Sequence, residues 1–186
     1  MKKNICIFGG SRSGKNKKIE NSSKIIGQII AEMGFNLIFG GGETGIMGAV
    51  SSSVIKNGAK TTGIIPGFLL KNDLLDSTHS NEFNSKLITT EDMHQRKKTM
   101  YKKSNAFLVL PGGVGTLDEC FEVLTWCQLN QITNKQVGII NFEGYWDPLL
   151  KLINHLIEEE FMGNHNLNFF QEIKSTNNLK KFLKNI

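Results

Sequence analysis

Three times in this chain a short apolar run stops at a cluster of glycines and a segment of helical periodicity follows. Asn4 to Phe8 meets Gly9-Gly10, Phe35 to Phe39 meets Gly40-Gly41-Gly42, and Ala106 to Leu110 meets Pro111-Gly112-Gly113. Runs this short and this apolar read as strands buried on both faces, the kind found in parallel sheets, and parallel strands need helical crossovers to return the chain. Further strands are expected at Thr61 to Ile65, Leu87 to Thr90 and Gln136 to Asn141. The fold class is therefore α/β: a Rossmann-like open parallel sheet with helices on both faces, in which ligands bind beyond the carboxyl ends of the strands.

Helix boundaries are read from capping residues and apolar spacing. Ser22 or Ser23 can cap a helix to about Met33, with Ile25, Ile26, Ile29 and Ile30 as its apolar face. Thr90 or Glu91 can cap another through Met100. The segment Cys120 to Gln131 reads as a helix with Cys120, Leu124 and Cys127 on its core face, and Asp147 or Pro148 opens one to about Glu160. Trp126 and Gln128 suit a planar base, though packing is their ordinary role. At 186 residues one domain spans 1–186, with 163–186 as a C-terminal tail holding a short edge strand or docking segment at Phe169-Phe170 and a basic helix from about Asn178. A chain of this length can bury roughly 70% of the surface its unfolded form exposes.

Composition excludes several classes. Three widely spaced cysteines in apolar contexts suit neither a disulfide framework nor a zinc site, and fit a reducing compartment. No apolar run approaches the roughly 20 residues of a membrane span and the start lacks a signal-peptide pattern, so a cytoplasmic protein without a membrane partner is expected. The net charge of +5 is spread over scattered lysines without interleaved aromatics, which argues against nucleic acid.

The glycine turns carry the candidate chemistry. Gly9, Gly14 and Lys15 fit G-x-x-x-x-G-K, but Asn16 lacks the hydroxyl a magnesium-bound nucleotide requires and Lys17 to Asn21 is polar where a buried helix should begin; the segment is kept as a ligand-contact loop. Gly40, Gly42 and Gly45 fit G-x-G-x-x-G, yet no acidic residue stands about 20 positions on for a ribose, so a second backbone approach to a mononucleotide is the expectation. In Pro111 to Glu119 the glycines bare N–H groups at the head of a helix, where the dipole favours an anion such as phosphate. Glu119 beside that cradle is open to two readings. It can serve chemistry, or Thr116-x-x-Glu119 can be a capping box. Arg96 lies between Met93 and Met100 at helical spacing, so it either faces inward and needs an anionic partner or snorkels over apolar neighbours. A loop of about 20 residues after Pro66, against about 4–6 for ordinary connections, suggests function.

These residues together resemble the LOG family of nucleotide phosphoribohydrolases, long labelled lysine decarboxylase-like. The carriers of the resemblance are P-G-G-x-G-T-x-x-E at Pro111 to Glu119, M-x-x-R-K at Met93 to Lys97, the glycine motif Gly40 to Gly48, Thr125-Trp126-x-Gln128-Leu129 and Asn141-x-x-Gly144-Tyr145, across roughly residues 4 to 162. The resemblance implies hydrolysis of the N-glycosidic bond of a nucleoside 5′-monophosphate, AMP or an N6-modified adenine nucleotide, to free base and ribose 5-phosphate. Arg96 and Glu119 are then the catalytic pair, Arg96 holding Glu119 ionised. Ser11, Gly41, Gly42, Met93, Lys97, Gly112, Gly113, Val114, Gly115 and Thr116 are substrate contacts, and Asp73 is a weaker candidate in place of a customary glutamate. No metal or organic cofactor is implied, and a homodimer is, with residues around Met93, Trp126 and Tyr145 near its interface. The chain departs from the family pattern at Gly9-Gly10-Ser11 and in the Lys15 to Lys18 segment. The rival is a non-catalytic nucleotide or molybdenum-cofactor carrier on the same fold. A decarboxylase would need a lysine for pyridoxal phosphate, and no lysine stands out for that.

Overall fold

A computed structural model of the chain describes residues 2–70, 85–163 and 169–186. Its first half runs β1 (Asn4–Phe8), α1 (Lys17–Glu32), β2 (Asn36–Phe39), α2 (Gly45–Lys56), β3 (Thr61–Pro66), α3 (Gly67–Leu70) and β4 (Ser85–Thr90). The second half runs α4 (Met93–Lys103), β5 (Ala106–Val109), α5 (Val114–Gln128), β6 (Val137–Ile140), α6 (Asp147–Glu158), β7 (Phe170–Ile173) and α7 (Thr176–Lys184). The strands form one sheet in the order β4-β3-β2-β1-β5-β6-β7, and every pairing is parallel. From β1 the chain builds outward to β4, returns to lay β5 against β1, and builds outward again. The reversal leaves a crevice between β1 and β5 at their carboxyl ends, where open α/β sheets bind ligands.

Side-chain alternation along the strands divides the core in two. Ile5, Ile7, Leu37, Phe39, Ala106 and Leu108 pack with α1, α2 and α7, while Cys6, Phe8, Ile38, Phe107 and Val109 pack with α4, α5 and α6. Both faces of the central strands are thereby buried, which explains why their sequences are apolar throughout rather than alternating. Among the described residues no helix is long and apolar enough to cross a membrane.

Several local boundaries differ from the sequence expectation, at α1 and α4 because a polar side chain caps the helix elsewhere. Asn16 accepts the Lys18 N–H, so α1 starts well before Ser22, and Ser23 lies inside the helix with its hydroxyl donating to the Ile19 carbonyl. The polar stretch Lys17 to Asn21 is the outer side of that first turn, with Ile19 facing the core. Ile25 is 46% exposed, so the apolar face is Ile19, Ile26, Ile29 and Ile30. Asp92, not Thr90 or Glu91, caps α4 by accepting the Gln95 N–H, and Gln95 returns the bond by accepting the Glu91 N–H. Gly67–Leu70 is a short helix where only loop was expected; the rest of the long connection, 71–84, lies outside the described residues. Beyond residue 163, β7 completes the sheet in parallel with β6, and Leu179, Phe182 and Leu183 of α7 are buried in the core shared with α1.

Helices α1 and α2 meet through Gly27, where an added Cβ would lie 2.5 Å from the Val50 carbonyl oxygen and 2.8 Å from Ser53 Cβ. Alanine would gain about 1 kcal/mol of helix propensity there, but a backbone carbonyl cannot step aside, and overpacking costs about 1–3 kcal/mol. Gly27→Ala is expected to lower stability by about 1 kcal/mol or more despite its propensity, read as a lower urea midpoint at unchanged m-value.

Candidate active site

Two glycine turns lock together at the crevice. The Gly10 N–H donates to the Pro111 carbonyl at 3.0 Å, and a Cβ on Gly112 would fall 2.1 Å from Thr116 Oγ1 and 2.8 Å from the Gly10 nitrogen. Gly112 has no room for a side chain, and a Cβ on Gly10 would press on the Arg12 carbonyl at 3.1 Å. Tyr145, set on the β6–α6 turn by the buried Asn141, donates its hydroxyl to the Gly112 carbonyl at 2.7 Å and holds the turn from the other side. Between these loops opens a cavity of about 850 Å³. Its walls include the loop from Gly9 to Asn16, the turn from Pro111 to Thr116, Ile46, Met47, Met93, Arg96, Glu119 and Tyr145.

The helix heads around the sheet differ in what occupies their N–H groups. Asn16 caps α1, Asp92 caps α4, and the Gly10 carbonyl accepts from both Ile46 and Met47 at the start of α2. The α2 head is thus filled by the chain itself, which corrects the expectation of a second backbone approach to a nucleotide there. Helix α5 is different. Its N-cap is Gly113, which has no side chain to cap with, and open space surrounds Gly113 and Gly115. The fifteen-residue helix points its dipole into the cavity, a geometry suited to a phosphate.

The start of α5 at Val114 also resolves the capping-box question. Thr116 and Glu119 lie at the third and sixth positions of the helix, so Thr116 cannot be the N-cap and Glu119 is a turn further in than the sequence suggested. Glu119 instead faces Arg96. Arg96 is drawn inward by three contacts: Nε donates to the Ile64 carbonyl at 3.0 Å, Nη2 to the Gly40 carbonyl at 3.3 Å, and Nη1 to Met93 Sδ at 3.6 Å. A Cβ on Gly40 would stand 2.0 Å from Nη2, so Gly40 is a glycine to admit the arginine rather than a phosphate. The guanidinium reaches Glu119 Oε1 at 3.8 Å, an ion pair too long for a direct hydrogen bond, and the two side chains are only 12% and 11% exposed.

Burial dominates the electrostatics of this pair. Loss of water pushes the Glu119 carboxyl up to about 7; Arg96 opposes the rise, while Asp118 adds to it. Arg96 favours the ionised form, but a cation at 3.8 Å whose donors are shared with two carbonyls offsets only part of the desolvation. The result is a carboxyl that titrates near neutrality and can exchange a proton.

Of the expected contacts, Ser11, Met93, Arg96, Gly112, Gly113, Val114, Gly115, Thr116 and Glu119 all line the one cavity. Gly41, Gly42 and Lys97 are not among its walls. Gly41, in the left-handed region at φ +81, and Gly42, whose Cβ would meet Met47 Cε at 2.9 Å, shape the β2–α2 turn. The Lys97 ammonium is held by Asp118 and Glu122. Asp73 lies outside the described residues. Trp126 packs edge-on against Tyr101 at 5.1 Å, and Cys120 and Cys127 are core residues. The expected contacts did not include Gly10, Arg12, Lys15 and Tyr145, which also line the cavity, although the loop that holds the first three was kept as a ligand-contact segment. Only the P-loop-like spacing signalled the Arg12 to Lys15 stretch.

A family model described as "Possible lysine decarboxylase" matches residues 47–183. A cytokinin riboside 5′-monophosphate phosphoribohydrolase of Arabidopsis thaliana, from the LOG group, is 40% identical over 159 residues, covering 86% of this chain and 71% of that protein. The chain belongs to the LOG family. A probable cytokinin riboside 5′-monophosphate phosphoribohydrolase of Oryza sativa is 39% identical over 86% of this chain and 61% of its own length, so the chain spans less than two thirds of that LOG relative. Among solved structures, the molybdenum cofactor carrier protein of Chlamydomonas reinhardtii superposes with a TM-score of 0.70 at 17% identity, covering 99% of this chain and 97% of that one. The molybdenum cofactor binding protein of Rippkaea orientalis gives 0.66 at 22%, covering 99% and 96%. At these identities the LOG chain shares a fold with the carriers.

The raised Glu119 carboxyl bears on stability. With a folded value of about 7 against an ordinary 4.5, the folded state keeps a proton that the unfolded state releases, so folding weakens as pH rises between those values. The loss is on the order of 3 kcal/mol at full ionisation. Glu119→Gln is expected to gain stability relative to the parent between pH 4 and pH 8, seen as a Tm difference that grows with pH and levels off above 8.

Proposed function

We propose that this chain hydrolyses the N-glycosidic bond of a nucleoside 5′-monophosphate, AMP or an N6-modified adenine nucleotide, releasing the free base and ribose 5-phosphate. The observation that carries the proposal is the pairing of an open, glycine-lined α5 head with a buried Arg96–Glu119 pair in one cavity. A carrier needs only the first of these; the second adds a carboxyl able to exchange a proton, which favours bond cleavage. The relatives named as phosphoribohydrolases support the same reading.

In this reading the 5′-phosphate sits on the N–H groups of Gly113 to Thr116, and its binding energy fixes the ribose over Glu119. The apolar side chains of Ile46, Met47 and Met93 in the cavity wall offer a surface for the base. Breaking the C1′–N bond leaves positive charge on the ribose ring and an electron pair on the base nitrogen. Ionised Glu119 stabilises the ring cation and takes a proton from the incoming water; hydroxide adds to C1′, and that proton passes on to the departing base nitrogen, which returns Glu119 to its carboxylate form. Arg96 orients Glu119 and offers its remaining donor capacity to sugar oxygens. Neither metal nor organic cofactor enters. The family likeness suggests a homodimer, and exposed Tyr145 and Leu129 support an apolar contact near the cavity and at the far end of α5; sedimentation at twice the chain mass of 20.8 kDa would bear this out. Free, buried cysteines are consistent with the reducing cytoplasm, where nucleotides abound.

Incubation with AMP and N6-substituted AMP is expected to give base and ribose 5-phosphate by chromatography. Glu119→Ala and Arg96→Ala are each expected to lower kcat by at least about 10²–10³-fold while remaining folded. Tight nucleotide binding without base release in the parent would turn the reading toward a carrier. Because the ionised carboxylate is the working form, kcat/KM should rise with pH through an inflection near 7, set by the Glu119 value of about 7.

A further inference from the structure

Beside the catalytic pair a second ionic cluster joins α4 to α5; its Asp118 touches the cavity wall, while Lys97 and Glu122 lie behind it. Lys97 follows Arg96 in sequence, and the helical turn sends its side chain to the opposite flank of Glu119. Its ammonium lies 3.0 Å from Asp118 Oδ2 and 2.8 Å from Glu122 Oε2, with the lysine side chain only 10% exposed. Burial would lower its affinity for a proton, but the hydrogen bonds to Glu122 and Asp118 outweigh this and hold it above the ordinary lysine value. Tyr101, one turn further along α4, donates its hydroxyl to the same Glu122 Oε2 at 2.7 Å. Burial raises the phenol first, and Glu122 raises it further, so it stays a neutral donor. Lys97 and Tyr101 thus spend their donors on Asp118 and Glu122, the two carboxylates that bracket Glu119.

We propose that Lys97 is a positioning residue that acts on Glu119 through Asp118 and Glu122, rather than a contact to substrate. The clamp fixes the α5 turn that carries Glu119 against the α4 turn that carries Arg96, and it balances three carboxylates, Asp118, Glu119 and Glu122, against two cations. The groups that face Glu119 are Arg96, Lys97 and Tyr101 from α4, Asp118 and Glu122 from α5, and Cys6 from β1. Of these, Asp118 and Glu122 push the carboxyl toward its protonated form, and Arg96 and Lys97 pull it toward the ionised one. Lys97 and Glu122 thus act on Glu119 with opposite signs from one ion pair. The kinetic consequences rest on the phosphoribohydrolase reading; the electrostatic ones do not.

The test follows the Glu119 carboxyl by carbon-13 NMR in full-length protein labelled at glutamate, the resonance identified by its loss in Glu119→Gln. Lys97→Met is expected to move the Glu119 titration midpoint up by roughly one pH unit, and Glu122→Gln, which keeps the size and the Tyr101 hydrogen bond, to move it down by a similar amount. The acidic limb of kcat/KM for AMP should follow in each case, with KM within about twofold of the parent, and Lys97→Arg should restore most of the shift. Midpoints unmoved in folded Lys97→Met and Glu122→Gln would overturn the proposal, as would a KM raised tenfold in Lys97→Met with the limb in place, the mark of a substrate contact. Should Lys97→Met fail to fold, the downward shift in Glu122→Gln decides alone. A parent that releases no base, with the two midpoints still moving in opposite directions, would remove the hydrolytic reading and leave this one standing.

Discussion

A carboxyl group stripped of water needs a cation close by, and a cation can come close only where nothing else fills its path. The desolvation of Glu119 is the constraint on which the neighbouring structure depends. It explains why Gly40 cannot carry a side chain, why the Ile64 carbonyl at the end of β3 is turned to hold Arg96, and why Met93 stands one helical turn before it. The same constraint accounts for the incomplete result. Arg96 at 3.8 Å leaves the carboxyl near neutrality, where a proton can be given up and recovered at little cost.

A second principle organises the mouth of the sheet. The chain answers its own backbone donors wherever it can: Asn16 and Asp92 cap their helices, and Gly10 spends its carbonyl on α2. Helix α5 is left uncapped by side chains beside the cavity, so an anion meets one well-defined cradle instead of several weak ones. Gly10 has a double part in this, since its N–H ties the β5–α5 turn through Pro111 while its carbonyl closes the α2 head. Two loops far apart in sequence are thereby set as one rigid frame.

The sheet, its parallel sense and the place of the cavity beside the glycine turns were legible because they follow from period and from glycine placement. Apolar runs such as Ala106 to Leu110 can only be strands buried on both faces, and the turns after them mark the carboxyl edge. Caps were less legible. Asn16 and Ser22 are both good caps in sequence, and the choice between them depends on Ile19 reaching the core, which is a tertiary fact. The roles of the glycines were misassigned for the same reason. A glycine that admits an arginine, like Gly40, looks in sequence like one that admits a phosphate, and what separates them is the side chain arriving from α4. The inward turn of Arg96 was one of two open readings until Gly40, Ile64 and Glu119 stood around it. Lys97 has the same residue type and nearly the same position as a substrate ligand would, and only the acidic pair on α5 shows where its charge is spent.

The docking of α7 on α1 sets a temporal order for biosynthesis. Ile26 and Ile30 are synthesised about 150 residues before Leu179, Phe182 and Leu183, which finish the core they share, and the Lys3 ammonium bonds to the Ile186 carbonyl. During synthesis the α1 side of the sheet must wait, apolar and uncovered, for the last of the described elements. A nascent chain of this topology keeps that apolar surface open to other chains while every element from α2 to β7 is made, and closes it only when α7 docks.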